Sequence, residues 1–522
     1  MYTLRGEKFR SERESLYILI LIMRFRLICA FIFTCFFSRG YAQIEQPLRV
    51  EIDLENSNED YSVVPVGEYG VVMYTLSPEK VPQRTKVKWL FTGYDTEFKE
   101  YWKSGYIIDA SYSIRERCYA DGYLYFLFGK YGREDMVITE LNVRTGEIRS
   151  KTGKLPKKFI LSSLDVYKNS VYINGRVKKG PVLVHMDINS GNYGEVPMKF
   201  DGAAVYESID IDTLNEEVNM VYSISDNRKR FINIKTFQGK QLLDDLVINP
   251  EGNDNLLTGK INMINEKEKV IIGTYSIGNA RGAGGLYFAR LIDNSSYVVK
   301  YYNFTDFKNF FTFLSDRAVD KIYRKKEKEE ARGREFSTEY QFLVHDLIVK
   351  DGQYLMVAEA YYATYRSEAR PYTTIINGVP IMQTSYVTVF DGWAYSHAII
   401  VGFDLEGDML WDNSIEMGDF KSYVLDKRVS VNVSFDEVKL AYGTYDNIVT
   451  KTIRYNQVVD AKDQISIKTG FQDDVVRSSA LSSVSYWYDK YFIVYGYQRI
   501  KNTGDDIKRK RSVFYFNKIA LP

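Results

Sequence analysis

The chain has 522 residues, with 69 Lys or Arg against 68 Asp or Glu, three His and three Cys. It is too long for one ordinary core, yet it holds no linker rich in Pro, Gly or Ser, which favours one large closed or repetitive domain over several small ones. Balanced charge leaves no basic excess to draw it onto nucleic acid or anionic lipid, and 43 Tyr and 30 Phe against 11 Pro suit half-buried strands and not disorder.

Residues 1–42 differ in kind from the rest. Met23, Arg24, Phe25 and Arg26 form a basic start, residues 27–37 an apolar run, and Gly40, Tyr41 and Ala42 a small-x-small site before Gln43. This pattern predicts a secretory signal cleaved after Ala42, with Met23 as the true initiator. Joining residues 16–22 to 27–37 as a membrane span would instead place Arg24 and Arg26 near its middle, at roughly 2.5 to 3.5 kcal/mol each. No stable membrane span is expected after cleavage, and the mature chain is expected in the periplasm, outside the cell or at the cell surface of a bacterium. The signal holds seven of the basic and three of the acidic residues, so the mature net charge is near −3. Cys29 and Cys35 also lie in it; Cys118 alone remains, which excludes an intrachain disulfide. Cys29 lacks the small residue before it that an acylation site needs.

From residue 48 onward a period of about fifty residues emerges. A second-strand signal recurs at 69–74, 122–128, 170–175, 218–222, 270–275, 354–358, 438–442 and 491–495, each followed by an alternating third strand. The cleanest unit spans residues 162–200, where Val171 and Ile173 alternate with polar neighbours and Asn189, Ser190, Gly191 and Asn192 supply a turn. Four-stranded units at this spacing predict an all-β fold, a β-propeller of eight blades occupying residues 43–522. Seven blades is the alternative, because the first unit carries Pro65, Pro78 and Pro82. The last unit stops after its third strand, while residues 48–54 alternate with no partner of their own. The N-terminal strand is therefore expected to close the ring by completing the last blade.

Two turns carry a family likeness. Leu141-Asn142-Val143-Arg144-Thr145-Gly146-Glu147-Ile148 and Phe403-Asp404-Leu405-Glu406-Gly407-Asp408-Met409-Leu410-Trp411 resemble the L-D-x-x-T-G-x-x-x-W turn of quinoprotein-like and related WD40-like propeller repeats. The resemblance implies the propeller fold and a binding role. The regular Trp of the quinoprotein enzymes is missing from most units, with Trp411 the best match, so neither their cofactor nor their dehydrogenase activity carries over.

Two insertions interrupt the period. Residues 316–337 are densely charged, with opposite charges at i, i+4 spacing, which reads as a solvated helical excursion. Residues 359–397 separate the second and third strands of unit six and hold Glu359, Tyr361, Tyr362, Tyr365, Arg366, Arg370, Tyr372, Trp393 and Tyr395. Asn377-Gly378 between apolar flanks predicts a β-ribbon there. Tyr, Trp and Arg anchor interfaces and stack on sugars or peptides, so these nine residues are the candidate surface for a protein or glycan partner. The competing expectation is that the aromatics only pack the ribbon against its blade.

Catalytic chemistry is sparse. His185, His345 and His397 stand at no metal-ligand spacing, so no metal is expected and each should be satisfied within its strand. The glycine-rich run 278–285 joins two strands and so reads as a hairpin loop, not a phosphate cradle. No cofactor is expected. The enzyme alternative is a polysaccharide hydrolase or lyase using axial carboxylates, with Asp165, Asp210, Asp346 and Glu359 as candidates.

Overall fold

Alternating apolar and polar residues build eight antiparallel sheets of at least four strands each in the computed structural model. It describes residues 44–55, 59–79, 81–265, 267–292, 296–376, 379–418, 420–434, 437–454, 457–504 and 510–521. The predicted signal segment and the predicted turn at Asn377-Gly378 lie outside the described residues. Residues Gln46–Ile519 form one compact unit.

The third sheet shows the rule. Its strands Ile160–Tyr167, Ser170–Val177, Gly180–Asp187 and Tyr193–Val196 pair in chain order. Val171 faces Met186 and Ile173 faces Val184, and all four side chains are buried. The central strands are covered on both faces because neighbouring sheets stack against them. Conserving the alternation at one residue per face sets the register, since a one-residue slip would turn the whole apolar set over.

The first unit is a full sheet of Tyr61–Pro65, Val71–Leu76, Lys86–Tyr94 and Glu100–Asp109. Its prolines are harmless: Pro65 ends the first strand, and Pro78 and Pro82 fall in the connection between the second and third. Eight blades, not seven, follow. The eighth sheet is completed by the N-terminal strand Glu45–Asp53 beside Lys510–Ala520. Packing order is cyclic. Apolar clusters join sheets one to seven in sequence, and Ser430 and Asn432 of sheet seven donate to the carbonyls of Val484 and Asp489 in sheet eight. A last cluster packs Val63, Val71 and Met73 of sheet one against Ile493, Phe514 and Phe516 of sheet eight. The fold is an eight-bladed β-propeller.

Turns between third and fourth strands are clasped by the preceding blade. Gly146 has φ +72° and leaves its Cα face against the ring of Trp102, whose indole N–H donates to the Val143 carbonyl at 2.9 Å. Gly407, at φ +84°, packs on Phe288, and its carbonyl accepts from the Tyr302 hydroxyl at 2.5 Å. Any Cβ at these glycines would strike an aromatic ring, and φ in this range already favours Gly. Trp411 serves differently: it covers Gly402 of its own sheet and donates to Gln353 Oε1.

The first insertion forms helix α1, Asp316–Glu330, with no buried residue. Lys326 ties it to Asp306 at 2.6 Å, and Val319 and Ile322 rest on the cluster between sheets five and six. The glycine-rich loop is not loose, since Ala283 pairs with Tyr340.

Candidate functional site

The second insertion is not a separate loop but a continuation of its blade. Strands Gln353–Ile376 and Val379–Phe403 stay paired from Tyr354↔Phe403 to Ile376↔Val379. Fourth strand Met409–Glu416 reaches only His397, and the first strand Gln341–Val344 only Tyr361. Beyond these limits only the short strand Lys421–Ser422 joins, at Trp393 and Ala394, and the two long strands then run on as a two-stranded ribbon, kinked by a bulge between Ala363 and Tyr365.

Burial divides the nine predicted residues. Glu359 is 0% exposed. Its carboxylate takes His345 Nε2 at 2.7 Å and the backbone N–H groups of Arg428 and Val429 at 2.8 Å, binding sheet six to the chain entering sheet seven. Tyr395 is buried too, stacked on Phe420 and donating to the Asp426 carbonyl at 2.6 Å. Both belong to the blade interior and are not available to a surface partner. Tyr361 and Trp393 are half-buried at the ribbon base and meet edge to face at 5.5 Å. Tyr362, Tyr365, Arg366, Arg370 and Tyr372 are exposed.

Strand alternation then splits the exposed set. Tyr365 pairs with Phe390, Ala369 with Tyr386, Thr373 with Met382 and Ile375 with Pro380, so these share one face. That face carries an exposed apolar set, with Tyr365 64%, Ile375 73%, Met382 77% and Tyr386 75% exposed, interspersed with Ser367, Thr373, Thr384 and Thr388. Arg366, Arg370 and Tyr372 sit on the other face, where Arg370 lies 3.7 Å from Glu368 and Tyr372 donates to Gln383. Aromatic contacts run outward from the blade, Tyr361 to Trp393, Trp393 to Phe390 and Phe390 to Tyr365, with Tyr423 flanking Phe390. Sequence reading missed Phe390, Met382, Tyr386 as a facing partner and Tyr423. Parity from the turn back to Tyr365 would have found the first three; Tyr423 is brought in by the short strand Lys421–Ser422.

A second polar group gathers on the first strands and the segments leading into them. Ser163 Oγ lies 2.7 Å from Asp165 Oδ2 and 3.0 Å from Tyr206 Oη. Lys260 of sheet five bonds Asp346 of sheet six at 2.7 Å, and Lys427, ahead of sheet seven, stands 3.8 Å from the same carboxylate. Burial pushes Asp165 up to about 6, helped by the charges of Asp346 and Glu116 against a hydrogen bond from Ser163. Burial likewise lifts Glu207 and Asp210 to about 7, the latter aided by Asp212 and Asp346. Asp346 goes the other way: crowding by its neighbours opposes ionisation, but its side chain is 78% exposed and the charges of Lys260 and Lys427 outweigh that crowding. Of the four predicted carboxylates, Asp346 acts on both Asp165 and Asp210, whereas Glu359 is committed to His345 and backbone. Lys260, Lys427 and Glu207 were not foreseen.

His185 is satisfied by Ser170 and His345 by Glu359. His397 departs from expectation: Phe313 stacks on it at 3.7 Å, Phe310 and Tyr340 wall it edge-on, and its Nε2 has no partner among the described residues. Burial in this aromatic box lowers its pKa to about 3, so it stays neutral. Among the described residues no three His, Cys, Asp or Glu stand together to hold a metal ion, and no helix is long and apolar enough to cross a membrane.

No protein-family model and no curated protein sequence matches the chain. Similar solved structures include polysaccharide lyase Uly1, at 9% identity over 90% of this chain and 100% of that one, with a TM-score of 0.38. Dihydro-heme d1 dehydrogenase NirN is 11% identical over 92% of this chain and 79% of that one, with a TM-score of 0.42. Hsv2 of Kluyveromyces lactis is 9% identical over 79% and 100%, with a TM-score of 0.34. None of these values reaches the level at which a shared ligand or reaction follows.

Proposed function

We propose that the protein is a secreted or periplasmic binding propeller, with quinoprotein-like or WD40-like repeats, that captures a protein or glycan partner on its aromatic ribbon. The observation that carries this reading is the ribbon face of Tyr365, Ile375, Met382, Tyr386 and Phe390, exposed on strands longer than the blade needs. A solvent-facing apolar stripe of this kind marks an interaction site, because leaving it wet gains nothing for the fold. Arg366 and Arg370 on the reverse face supply rim charges. The test is a Tyr365→Ser, Met382→Ser, Tyr386→Ser variant, compared with wild type for ligand capture from envelope extract and on a glycan array. Capture should vanish while the melting temperature stays within about 1 °C, since exposed side chains contribute little to stability. A variant that melts far earlier yet binds as well as wild type would make the ribbon a packing element.

A second reading, an acid–base centre acting on polysaccharide, is favoured by Asp165 set against Ser163 and Tyr206 beside the Lys260–Asp346–Lys427 group. Release of new reducing ends or unsaturated uronates by wild type, lost in Asp165→Asn, would select it over the binding reading.

A further inference from the structure

A cavity of about 640 Å³ opens beside the eighth sheet, lined by Arg477, Arg499, Lys501, Lys510 and Arg511, with no acidic residue among its described walls. Arg511 is spent on Glu51 and Asp474. The side chains of the other four make no hydrogen bond or ion pair among the described residues. Four unneutralised cations around one cavity repel each other, and a chain with no basic excess overall has gathered them there. An anion in the cavity relieves that repulsion and satisfies two guanidinium forks, which suit carboxylate, sulfate or phosphate oxygens.

A second cavity of about 500 Å³ shares Leu54, Arg499 and Ser512 with the first and continues over Glu55, Ser478, Ser479 and Tyr497. The result is one groove, cationic at one end and lined at the other by the hydroxyl-bearing Ser478, Ser512 and Tyr497, with Glu55 the one carboxylate among its described walls. Its volume is that of a compact ligand. The cationic end holds no aromatic ring on which a nucleobase could stack, and the groove offers no row of apolar pockets for a peptide. Hydroxyl groups match a sugar.

We propose that this groove is a binding site for a short anionic oligosaccharide, its sulfate or uronate groups on Arg477, Arg499, Lys501 and Lys510 and its hydroxyls over Ser478. The site lies on sheet eight and the ribbon on sheet six, so either can fail without the other.

The test is calorimetric titration of the full mature chain with chondroitin 4-sulfate hexasaccharide, its desulfated and carboxyl-reduced counterpart, and hexaglutamate. The sulfated hexasaccharide should bind one to one and weaken as salt rises. Arg499→Gln, Lys501→Gln, Lys510→Gln together should weaken it about 30-fold at unchanged melting temperature, as charged hydrogen bonds are lost. Ser478→Trp, which fills the neutral end, should weaken the hexasaccharide and leave hexaglutamate unaffected. The proposal is overturned by no binding at about 1 mM, by equal binding of the uncharged counterpart, or by a triple variant that binds like wild type. Hexaglutamate binding as tightly as the sugar, with Ser478→Trp without effect, would mean an acidic-peptide site instead.

Discussion

Removing the Glu51 carboxylate tests how the N-terminal strand is held in the last blade. Glu51 accepts from Arg49 Nε at 2.7 Å, from Arg511 Nε and Nη2 at 3.0 and 2.9 Å, and from the Gly470 N–H at 3.1 Å. Arg49 and Arg511 have side chains only 8% and 4% exposed, so little water replaces a lost acceptor. Arg511 keeps Asp474, at 2.8 and 2.5 Å, and Arg49 keeps Asn517, Gln498 and the Lys468 carbonyl. Breaking one partner from a buried ion pair costs about 3 to 5 kcal/mol, and these remaining acceptors place Glu51→Ala at the low end, about 3 kcal/mol. At about 2.1 cal/mol/K per residue, the roughly 470 residues of Gln46–Ile519 have an unfolding entropy near 1 kcal/mol/K, so the melting temperature falls by about 3 °C. Differential scanning calorimetry gives the shift, and hydrogen exchange over Glu45–Asp53 should rise, because a loosened strand exposes the edge of Lys510–Ala520. The control is Glu79→Gln, which breaks a surface pair with Lys88 whose carboxylate is 74% exposed and should change nothing measurable. If Glu51→Ala melts with wild type and exchanges no faster, the ionic group does not hold the closing strand.

Asp210 sets a pH dependence. Its carboxyl is pushed up to about 7 by burial and then by Asp212 and Asp346, so the folded state holds that proton more tightly than the unfolded one. The associated stability is fully present below the unfolded value near 3.8 and is lost as pH rises through about 7. The advantage of Asp210→Asn over wild type should therefore grow steadily from pH 4 to pH 8; an equal offset at both would refute the assignment. Cleavage after Ala42 predicts a native N-terminus at Gln43, read by intact mass, and a chain retaining residues 27–37 would instead be anchored.

Much of the ring was legible in the chain. All eight second strands and all eight third strands were read from alternation, because a strand covered on both faces must carry a recurrent apolar set, as Val171, Ile173, Val184 and Met186 do. The unpartnered residues 48–54 announced closure through the missing fourth strand, and Asn377-Gly378 announced a ribbon between strands that the structure pairs on either side. Tertiary structure alone decided which side chains were free to act. Glu359 and Tyr395 share the composition of their exposed neighbours, yet they face the stack of sheets, while the bulge between Ala363 and Tyr365 resets which face each later ribbon residue takes. Arg477 meets Arg499, Lys501 and Lys510 only because Asp474–Ser479 pairs with the outer end of Tyr491–Asn502. Alternation is a local property of strands and is written in sequence; burial, charge clustering and cavities arise from which distant strands are laid side by side, a choice made by the packing of whole sheets.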